Sequence, residues 1–157
     1  MKNLTITILL TMLLISQIGL SQSNEKLLKT YLVLKDNFYS QDLNAIKDGA
    51  SKMLTAAKEL SEDPAYAAEL STIKMMEENL QLISSSKKIN AIQQNFHQLS
   101  IAVWNFSKKS NQNTALYFQF CPMKKYNWIA AEEKIKNPYY GKSMSNCGET
   151  IETLNKQ

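Results

Sequence analysis

The sequence predicts an all-α fold, an up-down four-helix bundle followed by an irregular C-terminal segment that carries cysteine and methionine. Three observations predict it. Four stretches repeat apolar residues at three and four, the period of an amphipathic helix. The breaks between them are short, and short connections make antiparallel helix neighbours. Beyond about residue 110 that period is lost, and both cysteines of the chain fall in the remainder.

The chain starts with a basic Met1-Lys2-Asn3 and an almost wholly apolar run from Leu4 to Ile15, with small residues at Gly19 and Ser21. This is the pattern of a secretory signal peptide, expected to span residues 1–21 with cleavage after Ser21. A membrane span needs roughly 20 apolar residues. The run is shorter and no second one is long enough, so no retained span is expected. The mature part, residues 22–157, is expected to be a single helical domain that is periplasmic or secreted. Its bundle covers about 25–110 and its motif segment about 114–157.

The first helix is predicted from Leu27, Leu28, Tyr31, Leu32 and Phe38, with Lys35 at the edge of the stripe. The second follows from Leu43, Ile46, Ala50, Met53, Leu54, Ala57 and Leu60, with Asp42 placed to cap it. Gly49 inside it costs up to ~1 kcal/mol relative to Ala, unless a neighbouring helix needs close approach there. Ser61-Glu62-Asp63-Pro64 ends that helix, since proline cannot continue it. The third runs from about Ala65 through Leu70, Ile73, Met76, Leu80 and Ile83. After Ser84-Ser85-Ser86 the fourth repeats Ile89, Ile92, Phe96, Leu99, Val103 and Phe106, and closes at Lys108-Lys109. Leu116, Phe118 and Phe120 then alternate with Tyr117 and Gln119, which predicts an extended segment leading into Cys121. Trp128 to Ile135 reads as one or two helical turns, Asn137-Pro138 and Gly141 as turns, and Ile151 with Leu154 as a last short turn.

The 18 basic residues are all lysine and face 14 acidic ones, a net charge of +4. Arginine, the residue that reads guanine and clamps phosphate, is absent, and the lysines are interspersed with acids. No nucleic-acid partner is expected. No phosphate loop, nucleophile elbow or zinc-protease pattern occurs, and the cysteines are not in a Cys-X-X-Cys arrangement, so no enzymatic activity is expected.

The chemistry lies in Cys121-Pro122-Met123 and Met144-Ser145-Asn146-Cys147. If the turn at Asn137–Gly141 folds the chain back, Cys121, Met123, Met144 and Cys147 converge. Thiolate and thioether are the ligands that Cu(I) and, by the same softness, Ag(I) select. Zinc prefers a closed tetrahedral set of thiolate and imidazole, which two cysteines and one histidine do not complete. His97, the one histidine, is a candidate added ligand or a neighbour that tunes the thiols. An exported protein also meets an oxidising compartment. There a Cys121–Cys147 disulfide would close a loop of about 25 residues and contribute roughly 3 kcal/mol. The residues leave both readings open: a soft-metal site, or a structural module stapled by a disulfide that docks on another envelope protein.

The run Leu116 to Met123, then Trp128, then Ile135-Lys136-Asn137-Pro138-Tyr139-Tyr140-Gly141-Lys142, then Met144 and Cys147-Gly148-Glu149, resembles the signature of a family of exported bacterial domains of unknown function, common in Bacteroidetes-type bacteria. Tyr31 to Asp36 and Phe96 to Ser100 resemble its helical segments. Similar domains stand alone behind signal peptides or are joined to periplasmic adaptor subunits of copper and silver efflux pumps. The resemblance implies a periplasmic helical domain associated with soft-metal handling, with such an adaptor or another envelope protein as partner.

Overall fold

A computed structural model of the chain describes residues 23–110 and 113–156. The expected signal peptide and its cleavage site lie outside the described residues. The helices are α1 (residues 23–40), α2 (Leu43–Glu62), α3 (Leu70–Ser85) and α4 (Ile89–Ser107). A 3-10 stretch, Pro64–Glu69, joins α2 to α3. Three strands follow: β1 (Leu116–Cys121), β2 (Tyr126–Ala130) and β3 (Glu149–Leu154).

Helix propensity and packing agree through the bundle. Asp42 caps α2, its carboxylate accepting from the backbone N–H of Asn44 at 2.9 Å and of Ala45 at 3.1 Å. Such a cap is worth about 1 kcal/mol. Ile46, Ala50, Met53, Ala57 and Leu60 are buried along its predicted stripe. Gly49 answers a close approach: a Cβ there would stand 2.7 Å from Asn37 Nδ2 and 3.3 Å from Leu34 Cδ1 on α1. Ile73, Met76, Leu80 and Ile83 line the inner face of α3, and Ile92, Phe96, Leu99, Val103 and Phe106 that of α4. Burying each of these large side chains contributes about 1.5–3 kcal/mol. Lys26 meets Glu59 and Asn37 meets the Ala45 carbonyl, so α1 and α2 run antiparallel. Across the core, Phe38 stacks on Phe96 at 4.1 Å between ring centroids and Tyr31 bonds Ser100, so α1 and α4 are antiparallel too.

The part predicted to be irregular is a three-stranded antiparallel sheet in the order β2-β1-β3, so the fold is mostly helical but not all-α. Trp128 and Ile129 are not in a helical turn. They pair with Gln119 and Phe118 in β2. Ile151 and Leu154 likewise belong to β3. The β1–β2 hairpin is closed by Lys125, whose N–H donates to the Cys121 carbonyl at 2.7 Å and whose φ is 59°. Strand β3 pairs with β1 through a register shift between Phe118 and Gln119. The bulge breaks its alternation, and most of its residues are exposed.

Two of the contacts that join sheet to bundle involve Trp104 and Tyr31. Trp104 of α4 stacks on Phe118 of β1 at 4.9 Å, and its indole N–H reaches Glu152 of β3 at 2.9 Å. Tyr31 of α1 makes the second. Ser100 Oγ donates to the Phe96 carbonyl at 2.7 Å, so the Tyr31 hydroxyl, 2.7 Å away, donates to Ser100. The same hydroxyl accepts from the Ile129 N–H of β2 at 3.0 Å. Tyr31→Phe leaves the Ile129 N–H buried and unpaired. It is expected to lower unfolding stability by about 1–3 kcal/mol, read as a lower urea midpoint at unchanged slope. An unchanged midpoint would show that this junction carries no stability.

Candidate metal centre

Side chains alternate across a strand. Phe118 points at α4 through Trp104, so Gln119 and Cys121 lie on the opposite face of β1. The chain between β2 and β3 covers that face. Gln119 reaches into this layer, its amide nitrogen donating to the carbonyls of Glu132 at 3.3 Å and Glu133 at 3.0 Å. Buried Lys35 of α1 lies 2.9 Å from Asp36 and 4.0 Å from Glu132, on the rim of the same layer.

Side chains from the helical part pin the rest of the covering segment. Gln41 donates to the Pro138 carbonyl at 2.9 Å, and buried Gln93 to the Tyr139 carbonyl at 3.0 Å. Tyr39 bonds Ser145 at 3.0 Å. Gly141 must be glycine-like: its φ is 55°, and a Cβ would come within 2.7 Å of the Tyr39 carbonyl. Asn137 organises the turn internally. Its N–H donates to the Ser145 carbonyl at 2.9 Å, its Oδ1 accepts from the Tyr139 N–H at 2.9 Å, and its Nδ2 donates to the Cys147 carbonyl at 2.6 Å. Tyr139 closes the inner side, its hydroxyl donating to the Asn127 carbonyl at 2.5 Å. Burial first, and then the neighbouring Tyr31, Tyr126 and Cys121, push that phenol well above its ordinary pKa.

These restraints set Cys147 Sγ 3.7 Å from Cys121 Sγ, both as free thiols. Cys121 is buried and Cys147 partly buried. The Lys124 N–H points at Cys121 Sγ from 3.4 Å. The Cys147 thiol is pushed above its ordinary pKa by desolvation, then by its hydrogen bond and charge interaction with Cys121, while the Met123 N–H pulls it down. Two thiolates bound to one tetrahedral ion at about 2.3 Å stand about 3.8 Å apart. The sulfur separation here matches that bite.

The structure therefore brings Cys121 and Cys147 together. Met123 and Met144, the candidate thioethers, are 67% and 38% exposed and lie on the surface beside them in sequence. His97 sits on α4 with its ring stacked on Tyr126, 4.8 Å between centroids. Its Nδ1 accepts from the Asn127 N–H at 2.9 Å, which leaves Nε2 as its free ring nitrogen. Desolvation lowers its pKa, against the opposing pull of that hydrogen bond. Among the described residues no three His, Cys, Asp or Glu side chains are grouped closely enough to hold one ion. A third ligand for the two thiols must then come from a thioether or from outside this set. Sequence reasoning missed Gln119, Gln93 and Asn137. Their signal was slight: a glutamine at an inward strand position, another beside a helix stripe, and an asparagine before proline.

The helices match a known family model. The model of DUF3347, described as a protein of unknown function, matches residues 27–115. The chain belongs to that family. The match ends immediately before β1, so Cys121 and Cys147 lie beyond the part that shows membership of DUF3347. No curated protein and no solved structure matches the chain.

Thiolate is the reactive form of cysteine. Because the Cys147 pKa is raised, its thiolate fraction at neutral pH is depressed and recovers only as pH climbs through the raised value. Cys121→Ser removes the neighbouring thiol. The midpoint of the pH profile for iodoacetamide reaction at Cys147 is expected to fall toward that of an ordinary cysteine, about 8.5. A midpoint that does not move would mean that the two thiols do not interact.

Proposed function

We propose that this chain is a non-enzymatic binding protein of the periplasm or secreted space that takes up Cu(I) or Ag(I). Cys121 and Cys147 supply the thiolates. Met123 and Met144 are the nearest candidate thioethers, with His97 as an added neighbour. The observation that carries the reading is the 3.7 Å separation of two free thiols on a clamped layer. A soft monovalent ion suits such sulfur ligands better than a hard cation, which requires oxygen. The up-down bundle serves as scaffold. The resemblance to domains joined to copper and silver efflux adaptors supports a role in heavy-metal handling, with such an adaptor or another envelope protein receiving the ion. Release proceeds by ligand exchange, in which an incoming sulfur displaces the weaker thioether.

The same separation favours a second reading, in which the thiols oxidise to a Cys121–Cys147 disulfide. That bond would staple the covering segment to β1, and the domain would act as a metal-free interaction module.

Anaerobic titration of reduced residues 22–157 with Cu(I) against a chromophoric competitor separates the two. One-to-one uptake, lost in Cys121→Ser, is expected. Met123→Leu combined with Met144→Leu should weaken it by roughly tenfold, about 1.4 kcal/mol. Binding should strengthen as pH rises, because the ion must displace thiol protons and the raised Cys147 pKa enlarges that cost near neutrality. No uptake by folded, reduced protein would remove the metal reading in favour of the staple.

A further inference from the structure

The face of the sheet that carries Cys121 also holds two buried polar atoms without a hydrogen-bond partner: Trp128 Nε1 and Gln119 Oε1. Both residues are 0% exposed. They are direct partners in the β1–β2 ladder. Their side chains therefore rise from one face, with Cβ atoms about 4.5–5.5 Å apart. The indole N–H is a donor alone, and the amide oxygen is an acceptor.

Turning the Gln119 amide over does not resolve this. Its nitrogen already donates to the carbonyls of Glu132 and Glu133 and stands 3.4 Å from Thr150 Oγ1. A flip would set the amide oxygen against two carbonyls. The indole is enclosed as well: a Cβ at Gly148 would stand 2.7 Å from Trp128 Cη2. Each orphaned buried group would cost about 1–3 kcal/mol. An unpaired donor and an unpaired acceptor on cross-strand neighbours of one sheet face are groups that a buried water can join.

We propose that Trp128 Nε1 and Gln119 Oε1 hold one internal water molecule, which accepts from the indole and donates to the amide oxygen. This seat lies two residue pairs along the ladder from the Cys121–Tyr126 pair, on the same face of β1. The water joins the two side chains and helps hold the indole against Gly148. The inference does not depend on metal binding.

Nuclear magnetic resonance of the reduced full-length fold tests it through the indole protons. The Trp128 indole proton is expected to show a cross-peak to a long-lived water. That cross-peak should be lost in Gln119→Met, which keeps side-chain length and removes the acceptor. The Trp104 indole, bonded to Glu152, is the internal control and should not change. Absence of the water cross-peak in the native protein would overturn the proposal. So would a high-resolution crystal structure with Trp128 Nε1 bonded directly to a protein acceptor. Should Gln119→Met fail to fold, these two native measurements decide it.

Discussion

Everything at the candidate centre depends on how the covering segment between β2 and β3 satisfies its backbone. The segment crosses a buried layer, where an unpaired carbonyl or N–H is expensive. Side chains from elsewhere meet that demand. Gln41 and Gln93 come from the helical part, Gln119 from the sheet, and Asn137 from the segment itself. Each bond adds about 1 kcal/mol net, but breaking one strands a buried group at about 1–3 kcal/mol. The conformation is thereby fixed from both sides. Cys147 stands beside Cys121 as a consequence of this polar frame, since no covalent bond holds the two sulfurs.

The frame explains why a thiol pair and an aromatic cluster share one place. Tyr139 occupies the inner side of the turn and contacts Phe96, Tyr126 and Trp128 by ring packing. Its carbonyl is the one that Gln93 holds. Packing and hydrogen bonding thus meet in one residue, next to Asn137. Chemically, the pair presents two adjacent sulfurs with a raised proton affinity at Cys147. A dithiol of this kind offers either two ligands to one soft ion or two partners for oxidation. The compartment and the available acceptor choose between them.

The helices were legible because their stripes persist over several turns and their ends carry recognisable signals. Asp42 and Pro64 do what their positions predict, and Gly49 marks a real close approach. Strand β1 was legible through its alternation. Strand β2 was not, since the short apolar run Trp128-Ile129-Ala130-Ala131 has no period that separates strand from helix. Strand β3 was hidden for a different reason: it is a largely exposed strand with a bulge, so no clean inward face appears in Glu149-Thr150-Ile151-Glu152-Thr153-Leu154. The pairing of Cys121 with Cys147 followed from the turn at Asn137–Gly141. The polar frame did not, because Gln93 and Gln119 bond carbonyls on other elements, and Asn137 bonds atoms that only the folded turn brings to it. Local pattern marks Asn137-Pro138 as a turn but carries no trace of the bonds from Gln93 and Gln119.

The most direct test of the account is reaction of the folded, reduced protein with phenylarsine oxide, a monosubstituted trivalent arsenical whose arsenic bonds two thiol sulfurs and releases water when they lie side by side. Native mass spectrometry should show one arsenical per chain with both Cys121 and Cys147 consumed. Either Cys121→Ser or Cys147→Ser should abolish tight uptake, and Asn137→Ala should slow it by loosening the turn that holds Cys147. If the folded native protein takes up no arsenical while both thiols still react singly with alkylating reagents, the sulfurs are not adjacent and the centre described here does not exist.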